Sequence, residues 1–163
     1  MEVSDWFMSL RVTDYIDFFM LLSVIIGGIF ALIQWTKANR NRRAEFVLNL
    51  IEKLYNDQDI ASTIYLFEYD REWYKGKFHN DMNKKLEPKV DKTLYYLSYI
   101  CYLRCNNLIS KKDFNFFDYI IKRMAQNPSD QEYLSFLQNL SERNKAKMPF
   151  FYLFNYCHKK KYL

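Results

Sequence analysis

The chain has 163 residues, half of them hydrophobic, and a net charge of +5 from 24 Lys and Arg against 19 Asp and Glu. The apolar content is concentrated, with 18 uncharged residues from Phe18 to Trp35 and a remainder rich in Lys, Asn and Tyr; this rules out a simple soluble monomer. Only 3 Gly and 3 Pro argue against a β-sandwich or barrel and against a glycine-rich nucleotide loop, so an all-α chain is expected.

The first stretch, Asp5 to Val12, puts Trp6, Phe7 and Leu10 on one helical face. It reads either as a short helix lying along a membrane surface or as a frayed terminus. From Phe18 to Trp35 a helix would rise about 27 Å, close to the roughly 30 Å of hydrocarbon in a bilayer. Glu2, Asp5, Asp14 and Asp17 precede it, with Arg11, and Lys37, Arg40, Arg42 and Arg43 follow. These flanks reverse the pattern of a cleaved signal peptide. The positive-inside rule then places the N-terminus outside and the C-terminal domain in the cytoplasm, as a single-pass membrane protein. Trp6 and Trp35 suit the two interfaces. Ser23, Gly27 and Ala31 recur every four residues, stacking small side chains on one face where a second helix can approach. Residues 1–43 are accordingly read as the transmembrane region with its basic exit, and 44–163 as a cytosolic bundle of about five helices.

Phe46, Val47, Leu50, Ile51 and Leu54 continue the helical pattern without Pro or Gly, so the span is expected to run into the domain. Asn56 to Asp59 offers a turn and an N-cap, and Ile60, Ile64, Phe67 and Tyr74 predict a second helix ending near Gly76. Phe78 to Lys89, polar and interrupted by Pro88, predicts an exposed loop. A third helix is expected from Val90, with Val90, Leu94, Leu97 and Cys101 inward and Asn106 and Asn107 closing it. Ser110 and Asp113 form a capping-box variant ahead of Phe114, Phe117, Ile121 and Met124. Asn127 and Pro128 end that helix, and Ser129 with Glu132 predicts a second capping box, with Tyr133, Leu137 and Leu140 inward. The tail from Met148 is aromatic and then basic.

Chemistry is sparse. Cys101, Cys105 and Cys157 are too few for a disulfide framework, and a zinc site made by these with His158 lacks the usual Cys-x2-Cys knuckle. His79 and His158 lie near no nucleophile motif; Arg71 and His79, with seven residues between them, are too far apart for the Arg-His pair of helical RNases. Glu68 and Glu72 share a helix face but read as solvated charges beside Arg71 and Lys75. No metal, cofactor or catalytic set is expected. The charge balance says more: after Trp35, 23 basic side chains face 15 acidic ones. The juxtamembrane group accounts for part of this excess through topology and contact with membrane lipids. Lys75, Lys77, Lys84, Lys85, Arg104, Lys122, Arg123 and Lys159 to Lys161 are interleaved with Trp73, Tyr74, Phe78, Tyr102 and Tyr156, a mixture suited to phosphates and stacked bases.

With its span Phe18 to Trp35, basic exit Lys37 to Arg43 and Tyr- and Lys-rich helical domain through Tyr156, the chain resembles the small membrane-anchored accessory effectors of type III CRISPR systems. The resemblance is one of architecture and rests on no motif. It implies a non-enzymatic protein of the bacterial inner membrane, acting in antiviral defence, whose cytosolic domain oligomerises, with a tetramer as one closed form, and binds a cyclic oligoadenylate messenger that triggers a membrane response. No long nucleic acid is expected as a partner. The residues expected at the ligand are Arg71, Trp73, His79 and Arg104, chosen for cationic or planar chemistry at helix ends or beside the polar loop. The alternative is a membrane-tethered scaffold without a nucleotide ligand, docking a protein partner through the aromatic tail from Phe150 to Tyr156.

Overall fold

The computed structural model describes residues 12–74 and 86–163, which form six α-helices and no strand among the described residues. The expected surface helix from Asp5 to Val12 lies, but for its last residue, outside them, as does most of the expected loop from Phe78 to Lys89. The chain divides into two units, one up to Phe46 and the other from Val47 to Leu163.

Helix α1, Val12–Asn56, supplies the described residues of the first unit and contributes its last turns to the second. It is the one described helix long and apolar enough to cross a membrane, and its apolar stretch is entirely unburied. The hydroxyls within that stretch and at its edge are satisfied inside the helix: Ser23 donates to the Met20 carbonyl and Thr36 to that of Ile33, each at 2.8 Å. Such back-bonding is what an apolar solvent demands of a hydroxyl. A Cβ added at Gly27 or Gly28 would meet nothing within 4 Å.

The second unit is a helical bundle. Leu50 and Leu54 of α1 enter its core, and the Tyr96 hydroxyl donates to the Leu50 carbonyl. Helix α2, Gln58–Tyr69, starts on Asp57, whose carboxylate accepts from the amides of Asp59 and Ile60. Helix α3, Glu87–Cys105, packs against α2 and against two later helices, α4 (Lys111–Ala125) and α6 (Phe151–Lys160). Its expected inward residues Val90, Leu94, Leu97 and Cys101 are all buried, joined by Thr93, Ile100 and Leu103. Lys92 ties α3 to the start of α2 through Asp57 (2.8 Å) and Asp59 (3.2 Å), and Lys89 adds a second contact to Asp59 (3.0 Å). These lysines pull the Asp57 and Asp59 carboxyls below their usual range.

Helix α4 begins with the expected capping box: Ser110 accepts from the Asp113 amide at 3.1 Å and Asp113 accepts from that of Ser110 at 3.4 Å. Its Phe114, Phe117, Ile121 and Met124 are buried. Helix α5, Pro128–Arg143, packs on α4, and α6 lies across α3 and α4.

Four details differ from the sequence expectations. Helix α2 stops at Tyr69, because Asp70 turns extended and its carboxylate accepts from the Glu72 amide (3.0 Å), so Glu68 and Glu72 do not share a helix; Glu68 pairs instead with Arg123 at 3.4 Å. Pro88 does not interrupt a loop but sits in the first turn of α3, where its missing N–H costs nothing. The cap of α5 is Asn127 rather than Ser129, with Pro128 in its first turn. Leu140 is 42 % exposed and does not join the core.

Asn127 holds two helix ends at once. Its Oδ1 accepts from the Ser129 amide (2.9 Å), capping α5, while its Nδ2 donates to the carbonyls of Phe67 (2.7 Å) and Asp70 (3.0 Å) at the end of α2. Ser129, freed from capping, donates to the Arg71 carbonyl at 2.7 Å. Helix ends leave several backbone groups without partners, and here one amide side chain serves a C-terminus and an N-terminus together.

A basic groove at the end of the bundle

The end of α3, the start of α4 and the last turns of α6 enclose a groove of about 910 Å³. Its shape follows from local sequence. Asn107 takes a left-handed conformation (φ 57°) after α3, the Leu108 amide returning to the Leu103 carbonyl at 2.9 Å, so the chain reverses directly into the α4 capping box. Helix α6 ends the same way: Lys161 has φ 57° and the Tyr162 amide returns to the Cys157 carbonyl at 2.9 Å. This paired closure is the Schellman motif.

Four cationic side chains line the groove: Arg104 and Lys111 on one side, Lys159 and Lys160 on α6, with His158 beside them. Among the described residues none of the four makes an ion pair, whereas Lys89, Lys92 and Arg123 elsewhere are all matched to carboxylates. Arg104 only touches the Asn107 side chain (3.3 Å), and Lys160 lies 5.8 Å from the centre of the Tyr156 ring. Among the lining residues, Asp118 is the one carboxylate, and its oxygens already accept from Tyr156 (2.8 Å) and Tyr162 (3.1 Å). Burial, followed by these hydrogen bonds, raises both phenols above their ordinary range, so they remain donors at neutral pH. The Asn115 and Asn155 amides complete the polar lining, and Phe114 and Tyr156, in edge contact at 5.0 Å, supply aromatic surface.

Of the residues expected at a ligand, only Arg104 is in this groove. Arg71 is exposed in the turn after α2, apart from the groove lining. Trp73 is fully buried, its indole N–H donating to Asp130 at 2.9 Å and its ring packed on Phe67 and Tyr133; it is a core residue and offers no stacking face. His79 lies outside the described residues. Lys159 and Lys160 belong to the basic set read from the sequence, but nothing local marks them, Lys111 or His158 as ligand residues, because the return of α6 onto α3 that gathers them is a tertiary event.

The cysteines are all free. Cys101 and Cys157 are buried and Cys105 is exposed on the groove wall. Burial, with the nearby Asp118 charge, pushes the Cys157 thiol up to about 12, and burial raises Cys101 as well. Neither is a thiolate at neutral pH, and no cluster of His, Cys, Asp or Glu among the described residues has the arrangement of a metal site. Ser23, Gly27 and Ala31 all lie on the unburied part of α1. No family model, curated protein or solved structure matches the chain.

Proposed function

We propose that the protein is a non-enzymatic membrane-anchored sensor, held in the inner membrane by α1 with its bundle in the cytoplasm, whose bundle binds an anionic cyclic nucleotide messenger. The observation that carries this reading is the groove, where four cations without carboxylate partners among the described residues sit beside aromatic and amide surface. Uncompensated cations attract multivalent anions, and charge-assisted hydrogen bonds to phosphate are among the stronger polar contacts a protein makes. Cyclic oligoadenylate, the messenger of the effectors this chain resembles, has the required phosphates and bases. Self-association through the face of Ser23, Gly27 and Ala31 would let the ligand stabilise one assembly over another and so act on the membrane, within an antiviral response.

The deciding experiment titrates the full chain, in lipid nanodiscs, with cyclic di-, tri-, tetra- and hexanucleotides, reading affinity by calorimetry and stoichiometry by native mass spectrometry. Selective binding by an oligomer supports the sensor. Absence of binding across the panel by a folded protein overturns it.

A second reading, a tethered interaction module, is favoured by a different surface. Tyr95, Tyr99 and Tyr102 of α3 and Phe151 and Tyr152 of α6 are all substantially exposed, with Tyr102 and Tyr152 in contact at 5.0 Å. Aromatic side chains of this kind are enriched in interface cores. Replacing Tyr99 and Tyr152 with Ser would abolish partner capture under this reading and leave nucleotide binding intact under the first.

A further inference from the structure

We infer that the groove is a two-walled site for a ligand carrying at least two phosphate groups, and that Asp118 is its positioning residue, acting through Tyr156 and Tyr162. This rests on the sensor reading only for the nucleotide identity of the ligand; the site itself follows from the bundle.

Arg104 and Lys111 are presented from the α3 to α4 reversal, and Lys159 and Lys160 from the last turn of α6. The first pair stands on elements fixed by the Asn107 closure and the Ser110 capping box. The second pair stands on a helix end, where the chain would otherwise fray. What holds that end is Asp118 on α4. It accepts from Tyr156, within α6, and from Tyr162, beyond it, and the left-handed Lys161 is the bend that returns Tyr162 to this carboxylate. A lysine in that conformation is strained relative to ordinary helical backbone, and the Tyr162 contacts oppose that strain.

Asp118 therefore contributes in two opposed ways. Its charge repels an anion, yet its hydrogen bonds hold the lysines that bind one. Simple electrostatics predicts that removing it tightens phosphate binding; the positioning role predicts that it weakens it. The two accounts differ in sign.

The test uses the full chain in phosphatidylcholine nanodiscs and inorganic tripolyphosphate as probe, followed by the cyclic nucleotide panel, with circular dichroism and thermal melting to confirm that each variant is folded. Arg104→Gln, and Lys159→Gln with Lys160→Gln, are each expected to weaken tripolyphosphate binding at least about tenfold. Asp118→Ala is expected to bind more weakly despite its added net positive charge, and Tyr162→Phe, which alters no charge, roughly threefold more weakly. Tighter binding by Asp118→Ala together with unchanged Tyr162→Phe overturns the positioning role. Unaltered affinity in the groove-cation variants overturns the site, even if the wild-type chain binds nucleotides elsewhere. Tripolyphosphate binding without any nucleotide binding leaves the site standing and removes the nucleotide reading. Repeating the titration in nanodiscs containing phosphatidylglycerol separates soluble from lipid phosphate: if the anionic lipid abolishes tripolyphosphate binding in the wild type, headgroups are the source of the phosphates.

Discussion

Asn127 is the side chain whose loss should be felt most. Replacing it with Ala removes the α5 cap and leaves the buried carbonyl of Phe67 without its donor, so the bundle is expected to lose about 2–4 kcal/mol, measured by chemical denaturation. Asp130 makes a different prediction. One of its oxygens accepts from the Trp73 indole, the other is buried with no hydrogen-bond partner among the described residues, and burial pushes its carboxyl well above the usual range. The folded state thus favours the protonated acid more than the unfolded chain does. Stability from this group is full below the unfolded carboxyl's range and declines as pH rises from there toward the folded value. Asp130→Asn keeps the acceptor for Trp73 and has no charge to bury, so its melting temperature should fall less between pH 5 and pH 8 than that of the wild type. Equal slopes would mean that Asp130 is already ionised in the fold.

At the scale of elements, helix faces were legible in the sequence and helix ends only partly so. The spacing of Val90, Leu94, Leu97 and Cys101 marks the buried side of α3 because burial follows the 3.6-residue period. Ser110 with Asp113 marks a cap because both partners are local. The start of α5 is not legible in the same way, because Ser129 and Glu132 carry the same local signature and only the fold shows Ser129 engaged with the Arg71 carbonyl. The end of α2 at Asp70 depends likewise on Asn127, 57 residues away. Three helices end on left-handed residues that are not glycine, Asn107, Lys145 and Lys161. Lys145 is exposed, so Lys145→Gly should raise stability by up to about 1 kcal/mol in a thermal melt. Within α1, Gly27 faces open space, and Gly27→Leu should leave the isolated helix undisturbed. A fall in self-association in a membrane two-hybrid assay would therefore report a lost helix partner; an unchanged signal would remove the small-residue face from the account.

For the molecule as a whole, the division at Phe46 separates two kinds of surface. The first unit exposes its apolar side chains, Phe19, Met20, Leu21 and Val24 among them at above 60 %, whereas the second encloses a contiguous core from Leu50 to Cys157. A fragment beginning at Val47 is expected to be soluble without detergent, helical and cooperative in melting, while the full chain should need lipid or detergent. Light scattering and circular dichroism would check this, and an aggregated fragment would mean that the bundle needs more of α1. The all-α class was open to sequence reading because few glycines and prolines and strong periodicity leave little else. The groove was not, since its walls meet only when α6 returns to α3, more than forty residues along the chain.

The burial of Trp73 has a practical side. Trp35 is 64 % exposed on the apolar helix while Trp73 is enclosed among Phe67, Tyr74 and Tyr133, so the two indoles occupy unlike surroundings and report on different events. In a Trp6→Phe background, Trp73 emission should shift to the red when denaturant opens the bundle. Lipids brominated along their acyl chains should quench Trp35 and spare Trp73. One emission spectrum then follows unfolding and insertion separately, with no added label.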